Sequence, residues 1–330
     1  MFGRYLSTEV MNTLIENPSA LELGGEKREV TIMMTDLRGF VALTERLKPE
    51  KVVEMLNAYF EVMVDIVLKY NGTINEIIGD ALMVFFGAPQ EMPDRAERAL
   101  ACAIDMQNAM ANVNAENRKN GLPEIEMGIG INEAEVVVGN IGSSKRSKYT
   151  VVGSGVNLTS RIESYTVGGQ ILISESVKNK VGDKIRIDNQ LEVMPKGSDS
   201  ALKLFETGGI SGDYNLTLME KDFDIVMLTQ QIPFQYKIID GKHVGKSGLK
   251  ALIKKLSKIG AEIISDEPLE RLSNLKINLD DVEDDLDSKD LYAKVIEEKE
   301  GNLYILRFTS VPTEMATYFQ AFRKTSLTGT

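Results

Sequence analysis

Two aspartates, Asp36 and Asp80, occupy positions where predicted strands end. Asp36 follows an alternating apolar stretch that begins at Val30, and Asp80 follows Gly79 in the turn of a predicted hairpin. Carboxylates that have no histidine or cysteine beside them are typical ligands of hard cations such as Mg²⁺ or Mn²⁺. Two such cations can activate a hydroxyl and stabilise a departing phosphate group, so that no protein base is needed.

The rest of the composition argues against several other chemistries. The single histidine, His243, is far from both aspartates in the sequence, which argues against histidine triads and histidine-ligated zinc. The single cysteine, Cys102, excludes an intrachain disulfide and a cysteine-rich metal site, and it suits a cytoplasmic protein. A net charge of −11 argues against a nucleic-acid partner. No stretch reaches the roughly 20 apolar residues that a membrane span requires.

The length of 330 residues, with 43% apolar content, is enough to build two separate cores. A short helix is predicted over residues 4–17, before the first strand. The order of the elements that follow, β-α-β-β-α-β, predicts an α+β fold of the ferredoxin-like type, with a sheet and helices in two layers. These later elements are a helix from 49 to about 70, strands at 73–78 and 82–86, a helix over 94–119, and strands at 126–131, 135–140 and 148–152.

The sequence changes character near residue 208. Glycines at 208, 209 and 212 predict a linker over 208–218, followed by a second, small, β-rich α+β domain over 219–330. In this domain we predict a basic helix over 246–259, an acidic solvated loop over 280–290, paired strands at 291–296 and 302–309, and a closing helix over 313–323.

Three blocks of sequence carry a resemblance to a known family. They are Asp36-Leu37-Arg38-Gly39-Phe40, the run from Ile78 to Gly87, and the run from Val152 to Arg161. In this order and spacing they resemble the bacterial class III adenylyl/guanylyl cyclases, over about residues 1–207. The resemblance implies an N-terminal helix and connector over 1–27. It also implies a catalytic domain over 28–207 that converts a purine nucleoside triphosphate to the 3',5'-cyclic monophosphate and pyrophosphate.

Position by position, the resemblance implies that Asp36 and Asp80 bind two Mg²⁺ or Mn²⁺ ions, with the Leu37 carbonyl beside them. Asn157 and Arg161, one turn apart on a predicted helix, would orient the ribose and stabilise the charge on the reacting phosphate. The residues expected near the phosphates are Arg38, Gly39, Phe40 and Lys196, with Lys203 as a rival to Lys196.

The base-reading positions implied by the resemblance are Glu76 and Thr150. A carboxylate at position 76 can accept hydrogen bonds from the N1–H and amino groups of guanine, which slightly favours GTP as substrate. The Thr150 hydroxyl can donate or accept, and threonine at this position resembles certain bacterial adenylyl cyclases. ATP therefore stays open as the alternative substrate.

The resemblance also bears on partners. Active sites of this family form between two catalytic domains, which implies a homodimer with sites at the interface. The connector would couple the domain to an upstream sensor or regulatory protein. The C-terminal domain weakly resembles PilZ but lacks the paired arginines of cyclic di-GMP sites, which puts such binding in doubt and favours a protein-contact or structural role.

Two functions of other kinds are the alternatives. A catalytically silent cyclase-like scaffold would signal by conformation, but the presence of Asp36, Asp80, Asn157 and Arg161 together argues against it. A diguanylate cyclase would share the two-metal chemistry, but its Gly-Gly-Asp/Glu-Glu-Phe turn is missing from the sequence.

Overall fold

The computed structural model describes residues 22–194, 200–219, 224–240, 243–244, 248–279 and 290–328. Contacts between residues divide the chain into two compact units. The first is assigned Met1–Arg38 and Leu47–Met219, and the second is assigned Gly39–Arg46 and Glu220–Thr330. None of the helices in the described ranges combines the length and the apolar character that crossing a bilayer requires.

A mixed sheet forms the centre of the first unit. Its strands are β1 (Gly24–Leu37), β2 (Thr73–Ile78), β3 (Ala81–Phe86), β4 (Met127–Ser143), β5 (Arg146–Val152), β6 (Ile171–Ser174), β7 (Ile185–Val193), β8 (Leu202–Ile210) and β9 (Leu216–Thr217). The order across the sheet is β2-β3-β1-β4-β6-β8-β7, with β5 paired to β4 and β9 to β8. Because β1 pairs antiparallel with both β3 and β4, the strand that carries Asp36 is central.

Five α-helices lie in the described residues before position 220. They are α1 (Phe40–Thr44), α2 (Pro49–Lys69), α3 (Arg95–Lys119), α4 (Ser154–Ser164) and α5 (Glu175–Val181). The two long helices bury apolar residues completely, among them Tyr59 and Met63 of α2 and Leu100 and Ile104 of α3. Each such side chain contributes about 2 kcal/mol to the hydrophobic stabilisation of the fold. The helical layer therefore anchors the sheet and fixes the ends of its strands.

These elements confirm the predicted α+β class and the predicted order β-α-β-β-α-β. The two strands predicted at 126–131 and 135–140 are one continuous strand, because β1 pairs with β4 all the way from Met127 to Asn140. Gly208 and Gly209, which we predicted in a linker, lie within β8, where Gly209 is paired with β7. The helix predicted over 4–17 lies outside the described residues.

Six antiparallel strands of the second unit close into a barrel. The strands of this unit are β10 (Val226–Asp240), β11 (His243–Val244), β12 (Leu249–Leu256), β13 (Gly260–Ser265), β14 (Asn274–Leu279), β15 (Leu291–Lys299) and β16 (Leu303–Ser310). The order β10-β12-β13-β16-β15-β14 is closed by pairing of β14 with β10, and β11 pairs with β10. Helix α6 (Thr313–Thr328) places Met315 and Phe319 in the barrel's core cluster. The predicted strand pair and closing helix are confirmed, and the PilZ likeness stays a prediction.

The helix predicted over 246–259 is wrong, since Leu249–Leu256 is a strand. Ala251 and Ile253 are buried whereas Leu252 between them is 37% exposed, which is the two-residue period of a strand. Pairing with β10 on one side and β13 on the other outweighs the helix preference of this leucine- and lysine-rich segment. The acidic stretch 280–289 lies outside the described residues.

Candidate active site

The predicted metal-binding pair is assembled by the first unit. Asp36 lies near the end of β1, and Asp80 lies in the turn between β2 and β3, as the hairpin prediction required. Antiparallel pairing of β1 with β3 brings the two positions together, and the charge of Asp36 acts on the Asp80 carboxyl group. The backbone N–H of Leu37 donates to Oδ2 of Asp80 over 3.1 Å. The end of β1 and the β2–β3 turn, which are far apart in the sequence, thus hold the two carboxylates close together.

The pair concentrates negative charge. Burial of Asp80 and the neighbouring charge of Asp36 raise the pKa of Asp80 from 3.8 to about 6. Nη2 of Arg38 lies 3.0 Å from Oδ2 of Asp36, but the same guanidinium also pairs with Glu163. One guanidinium is therefore shared by two carboxylates and compensates the pair only in part, and a bound cation would relieve the remaining repulsion.

Arg38 extends into the first unit, with its side chain only 9% exposed. Besides the two carboxylates of Asp36 and Glu163, its guanidinium approaches the backbone carbonyl of Thr166. These contacts make Arg38 a positioning residue for Asp36, a part that the sequence analysis did not find because Glu163 is 125 positions away. The phosphate contact expected of Arg38 stays a prediction.

Gly39 and Phe40 begin the segment that is assigned to the second unit. Gly39 precedes helix α1 with φ of +68°, a conformation that favours glycine. A Cβ atom at this position would lie 2.4 Å from the carbonyl oxygen of Thr309, so a side chain does not fit. The phosphate contacts expected of Gly39 and Phe40 stay predictions.

The donor set suits a cation that brings other ligands with it. Among the described residues, no group of three or more histidine, cysteine, aspartate or glutamate side chains is arranged to hold a metal ion. Asp36 and Asp80 supply only carboxylate oxygens, which Mg²⁺ and Mn²⁺ prefer. Mg²⁺ binds typically through one or two carboxylates together with water and substrate phosphates. The pair therefore fits Mg²⁺ or Mn²⁺ that arrives with a polyphosphate.

Asn157 and Arg161 lie one turn apart on α4, as predicted, and both are exposed. They line a cleft of about 820 Å³ that also contains Lys203, at the beginning of β8. The lining consists of Asn132, Glu133, Ala134, Glu135, Ser154, Gly155, Asn157, Leu158, Arg161, Ser174, Glu175, Ser176, Ala201, Leu202 and Lys203. The other lysine candidate, Lys196, lies outside the described residues.

Within the described part of one chain, neither Asp36 nor Asp80 belongs to the lining of this cleft. The structure therefore brings the aspartates together in one place, and Asn157 with Arg161 in another. Helix α4 approaches the sheet closely because Gly155 has no side chain, since a Cβ there would lie 2.3 Å from the Cβ of Ala134. Asp36 lies on a strand and Asp80 in the turn of a hairpin, whereas Asn157 and Arg161 lie on a helix.

The predicted base-reading residues lie on neighbouring parts of the sheet. Glu76 is on β2 and forms an ion pair with Lys148 of β5, with Nζ and Oε1 3.1 Å apart. Thr150, also on β5, donates a hydrogen bond of 2.7 Å to Oδ1 of Asn75. The sequence analysis missed Lys148 and Asn75. The available signals were the spacing of two residues between Lys148 and Thr150, which puts them on one face of a strand, and the position of Asn75 beside Glu76.

Known proteins are similar to this chain mainly over the residues of the first unit. The family model described as "Adenylate and Guanylate cyclase catalytic domain" matches residues 24–205. "Adenylate cyclase 1" of Rhizobium meliloti (strain 1021) is 31% identical over 218 residues, which are 66% of this chain and 33% of that protein. "Adenylate cyclase" of Anabaena cylindrica is 34% identical over 219 residues, or 62% of this chain and 42% of that protein. The chain spans less than half the length of either curated relative.

Two solved structures share the fold at substantial identity. The guanylyl cyclase Cya2 is 49% identical with a TM-score of 0.59, and the match covers 60% of this chain and 100% of that one. The adenylyl cyclase CyaB from P. aeruginosa is 33% identical with a TM-score of 0.55, and the match covers 59% of this chain and 100% of that one. The relatives thus carry the names of both guanylyl and adenylyl enzymes.

The charge of the aspartate pair predicts a pH-dependent stability. Because folding raises the pKa of Asp80 to about 6, the folded state holds a proton that the unfolded state releases between pH 4 and 6. The fold therefore loses stability as pH rises through this window. We expect Asp80→Asn to be more stable than wild type at pH 7.5 by about 1 kcal/mol, after allowance for solvent screening, and equal to it below pH 4.

Urea unfolding in metal-free buffer from pH 3.5 to 8 measures this difference. Asp65→Asn, at an exposed position on α2, is the matched control and should follow wild type at every pH. A difference between Asp80→Asn and wild type that does not grow with pH would contradict a raised pKa of Asp80 in the folded protein.

Proposed function

The chain belongs to the adenylate and guanylate cyclase catalytic-domain family, and from this we propose that it converts a purine nucleoside triphosphate to its 3',5'-cyclic monophosphate and pyrophosphate. The observation that carries the proposal is the side-by-side placement of Asp36 and Asp80 at the ends of β1 and the β2–β3 hairpin. The exposed amide and guanidinium on α4 supply the polar groups for the rest of the substrate.

In the proposed reaction the ribose 3'-oxygen attacks the α-phosphorus. A bond forms between these two atoms, the bond from the α-phosphorus to the β-phosphate oxygen breaks, and pyrophosphate leaves with that oxygen. The proton of the 3'-hydroxyl passes to solvent water, so that no protein base is needed. Mg²⁺ or Mn²⁺, two ions per site, would lower the pKa of the 3'-hydroxyl and neutralise the phosphates. Asp36, Asp80 and the Leu37 carbonyl are the residues that would hold them.

The remaining work is done by groups that orient the substrate. Arg38 holds the Asp36 carboxylate in place through its buried contacts. The Asn157 amide can bind the ribose, and the Arg161 guanidinium can stabilise the charge that develops on the α-phosphate. Lys203, in the same cleft, supports the proposal of a lysine contact to the phosphates.

We further propose that the active enzyme is a homodimer with two shared sites. One chain presents the aspartate pair and the Asn157–Arg161 cleft as separate groups, so a single substrate needs the first from one copy and the second from another. A two-fold dimer would build two equivalent sites in this way.

GTP is the slightly favoured substrate, and ATP is the alternative. Glu76 is a hydrogen-bond acceptor that suits the N1–H and amino groups of guanine, and the relative of 49% identity is named a guanylyl cyclase. Three other relatives are named adenylate or adenylyl cyclases. Thr150 supports the alternative, because its hydroxyl donates to Asn75 and its lone pairs stay available to accept.

The reaction is tested by product analysis. Wild-type protein incubated with Mn²⁺ and each of ATP, GTP, CTP and UTP should release a cyclic purine nucleotide and pyrophosphate, identified by mass spectrometry. Asp36→Ala and Asp80→Ala should each abolish the product, because each removes a ligand of the ions that stabilise the transition state. Asp65→Ala is the control at an exposed helical position and should retain activity. Turnover near the wild-type rate in either site variant would refute the metal assignment.

The shared site predicts complementation between two inactive chains. Asp36→Ala lacks the metal pair and Arg161→Ala lacks the transition-state cation, but a mixed dimer of the two contains one undamaged site. We expect activity to return on mixing, up to about one quarter of the wild-type rate, because half of the dimers are mixed and each has one of two sites. Two different affinity tags allow the mixed dimer to be purified. A purified mixed dimer without activity would exclude a site shared between chains.

The proposed base preference predicts the effect of Glu76→Lys. This change replaces an acceptor by a donor and leaves donors of guanine without partners, so GTP use should fall by about tenfold or more. ATP use should hold or rise. The measured quantity is the GTP-to-ATP ratio of kcat/KM, and Glu91→Lys, at an exposed position outside the site, is the control. If wild type already prefers ATP, or the ratio does not fall in Glu76→Lys, the proposed GTP preference is refuted and ATP becomes the proposed substrate.

A further inference from the structure

Asn75 is a buried amide directly beside the predicted base-reading residues. Its side chain is 8% exposed, although Glu76, which follows it on β2, is exposed. The register between β2 and β3 shifts between Ile74 and Glu76, so Asn75 lies at a β-bulge. A bulge re-aims side chains, and here the Asn75 amide comes to lie between β3 and β5.

The two contacts of this amide fix which way it points. Nδ2 of Asn75 donates to the sulfur of Met83 over 3.3 Å, and Oδ1 accepts from the Thr150 hydroxyl over 2.7 Å. A thioether sulfur has no hydrogen to donate, so the reverse orientation of the amide would set its oxygen against the sulfur. Met83 therefore selects the orientation in which the Asn75 oxygen faces Thr150.

This orientation decides the polarity of Thr150. A threonine hydroxyl carries one hydrogen, and here that hydrogen is given to Asn75. The lone pairs that remain can only accept. At the 6-position, adenine carries an amino group that donates, whereas guanine carries a carbonyl oxygen that accepts. An acceptor at Thr150 therefore suits adenine and opposes guanine.

We propose that Asn75 is a specificity-determining positioning residue that holds Thr150 as a hydrogen-bond acceptor and thereby reduces the use of GTP relative to ATP. This inference rests on the proposed function, in which Glu76 faces N1 and the 2-amino group of guanine and Thr150 faces the adjoining 6-position of the purine. Guanine can be bound only if its 6-oxygen faces an acceptor or if Thr150 turns away from Asn75. The second course leaves the buried Asn75 oxygen without this partner, so either course carries a cost.

Glu76 acts in the opposite direction. Its carboxylate accepts from the N1–H of guanine, and its charge is balanced in part by the ion pair with Lys148 of β5. The exposed ion pair contributes little to stability but sets both charges beside the base position. Glu76 thus favours guanine and Thr150 favours adenine. Asn75 determines how strongly Thr150 favours adenine.

The test is the ratio of cyclic GMP to cyclic AMP formed from an equimolar mixture of GTP and ATP with Mn²⁺. Asn75→Leu has a similar volume but no acceptor, so Thr150 becomes free to donate to the guanine oxygen. We expect this ratio to rise by about fivefold or more, the size of one restored hydrogen bond to a buried group. Asn75→Asp keeps an acceptor opposite Thr150 and should leave the ratio near the wild-type value. Asn75→Ala serves if the leucine variant does not fold.

Thr150→Val tests whether Asn75 changes the product ratio through the Thr150 hydroxyl. With no hydroxyl at position 150, the further change Asn75→Leu should leave the ratio within about twofold, because the two residues act as one unit. An unchanged ratio in folded, active Asn75→Leu and Asn75→Ala would overturn the inference, as would an equal rise in the Thr150→Val background. A general loss of structure lowers both products and leaves their ratio unchanged. Failure of the proposed function itself would be recognised by the absence of any cyclic product from wild type.

Discussion

The close approach of the Asp36 and Asp80 carboxylates is the interaction on which the rest of the structure depends. Burial of Asp80 and the repulsion between the two nearby, half-buried negative charges together raise the pKa of Asp80. Pairing of the central strand β1 with β3 along five positions holds the two aspartates close together despite this cost. A site that is strained when empty and relieved by a cation is suited to bind that cation together with a polyphosphate.

The separate placement of the site residues explains why one chain is expected to be insufficient for catalysis. The aspartates lie near the end of β1 and in the β2–β3 turn, while Asn157 and Arg161 of α4 line a cleft. In the described structure the aspartates do not line this cleft. The strand that carries Asp36 is paired with β4 over its whole length, and Asn157 and Arg161 lie on a separate helix. In the proposed dimer, assembly therefore controls activity, because only a second copy completes the site.

Much of the first unit was predictable because its signals are local. Apolar alternation before Asp36, the Gly79–Asp80 turn and the helical spacing of Asn157 and Arg161 each predicted an element that the structure contains. What the sequence did not indicate depends on pairing between distant segments. The contact of Arg38 with Glu163 and the bulge at Asn75 are of this kind. So is β12, where two neighbouring strands override a helix-like pattern.

The most direct test of the account is cation binding by the aspartate pair. Electron paramagnetic resonance counts free Mn²⁺ in a titration of wild type, Asp36→Asn and Asp80→Asn, each saturated with 3'-deoxy-GTP or 3'-deoxy-ATP, which cannot cyclise. We expect tight Mn²⁺ binding to wild type and a loss of affinity of about tenfold or more in each variant, because each removes a charged oxygen ligand. Equal Mn²⁺ affinity in all three proteins would contradict the central claim.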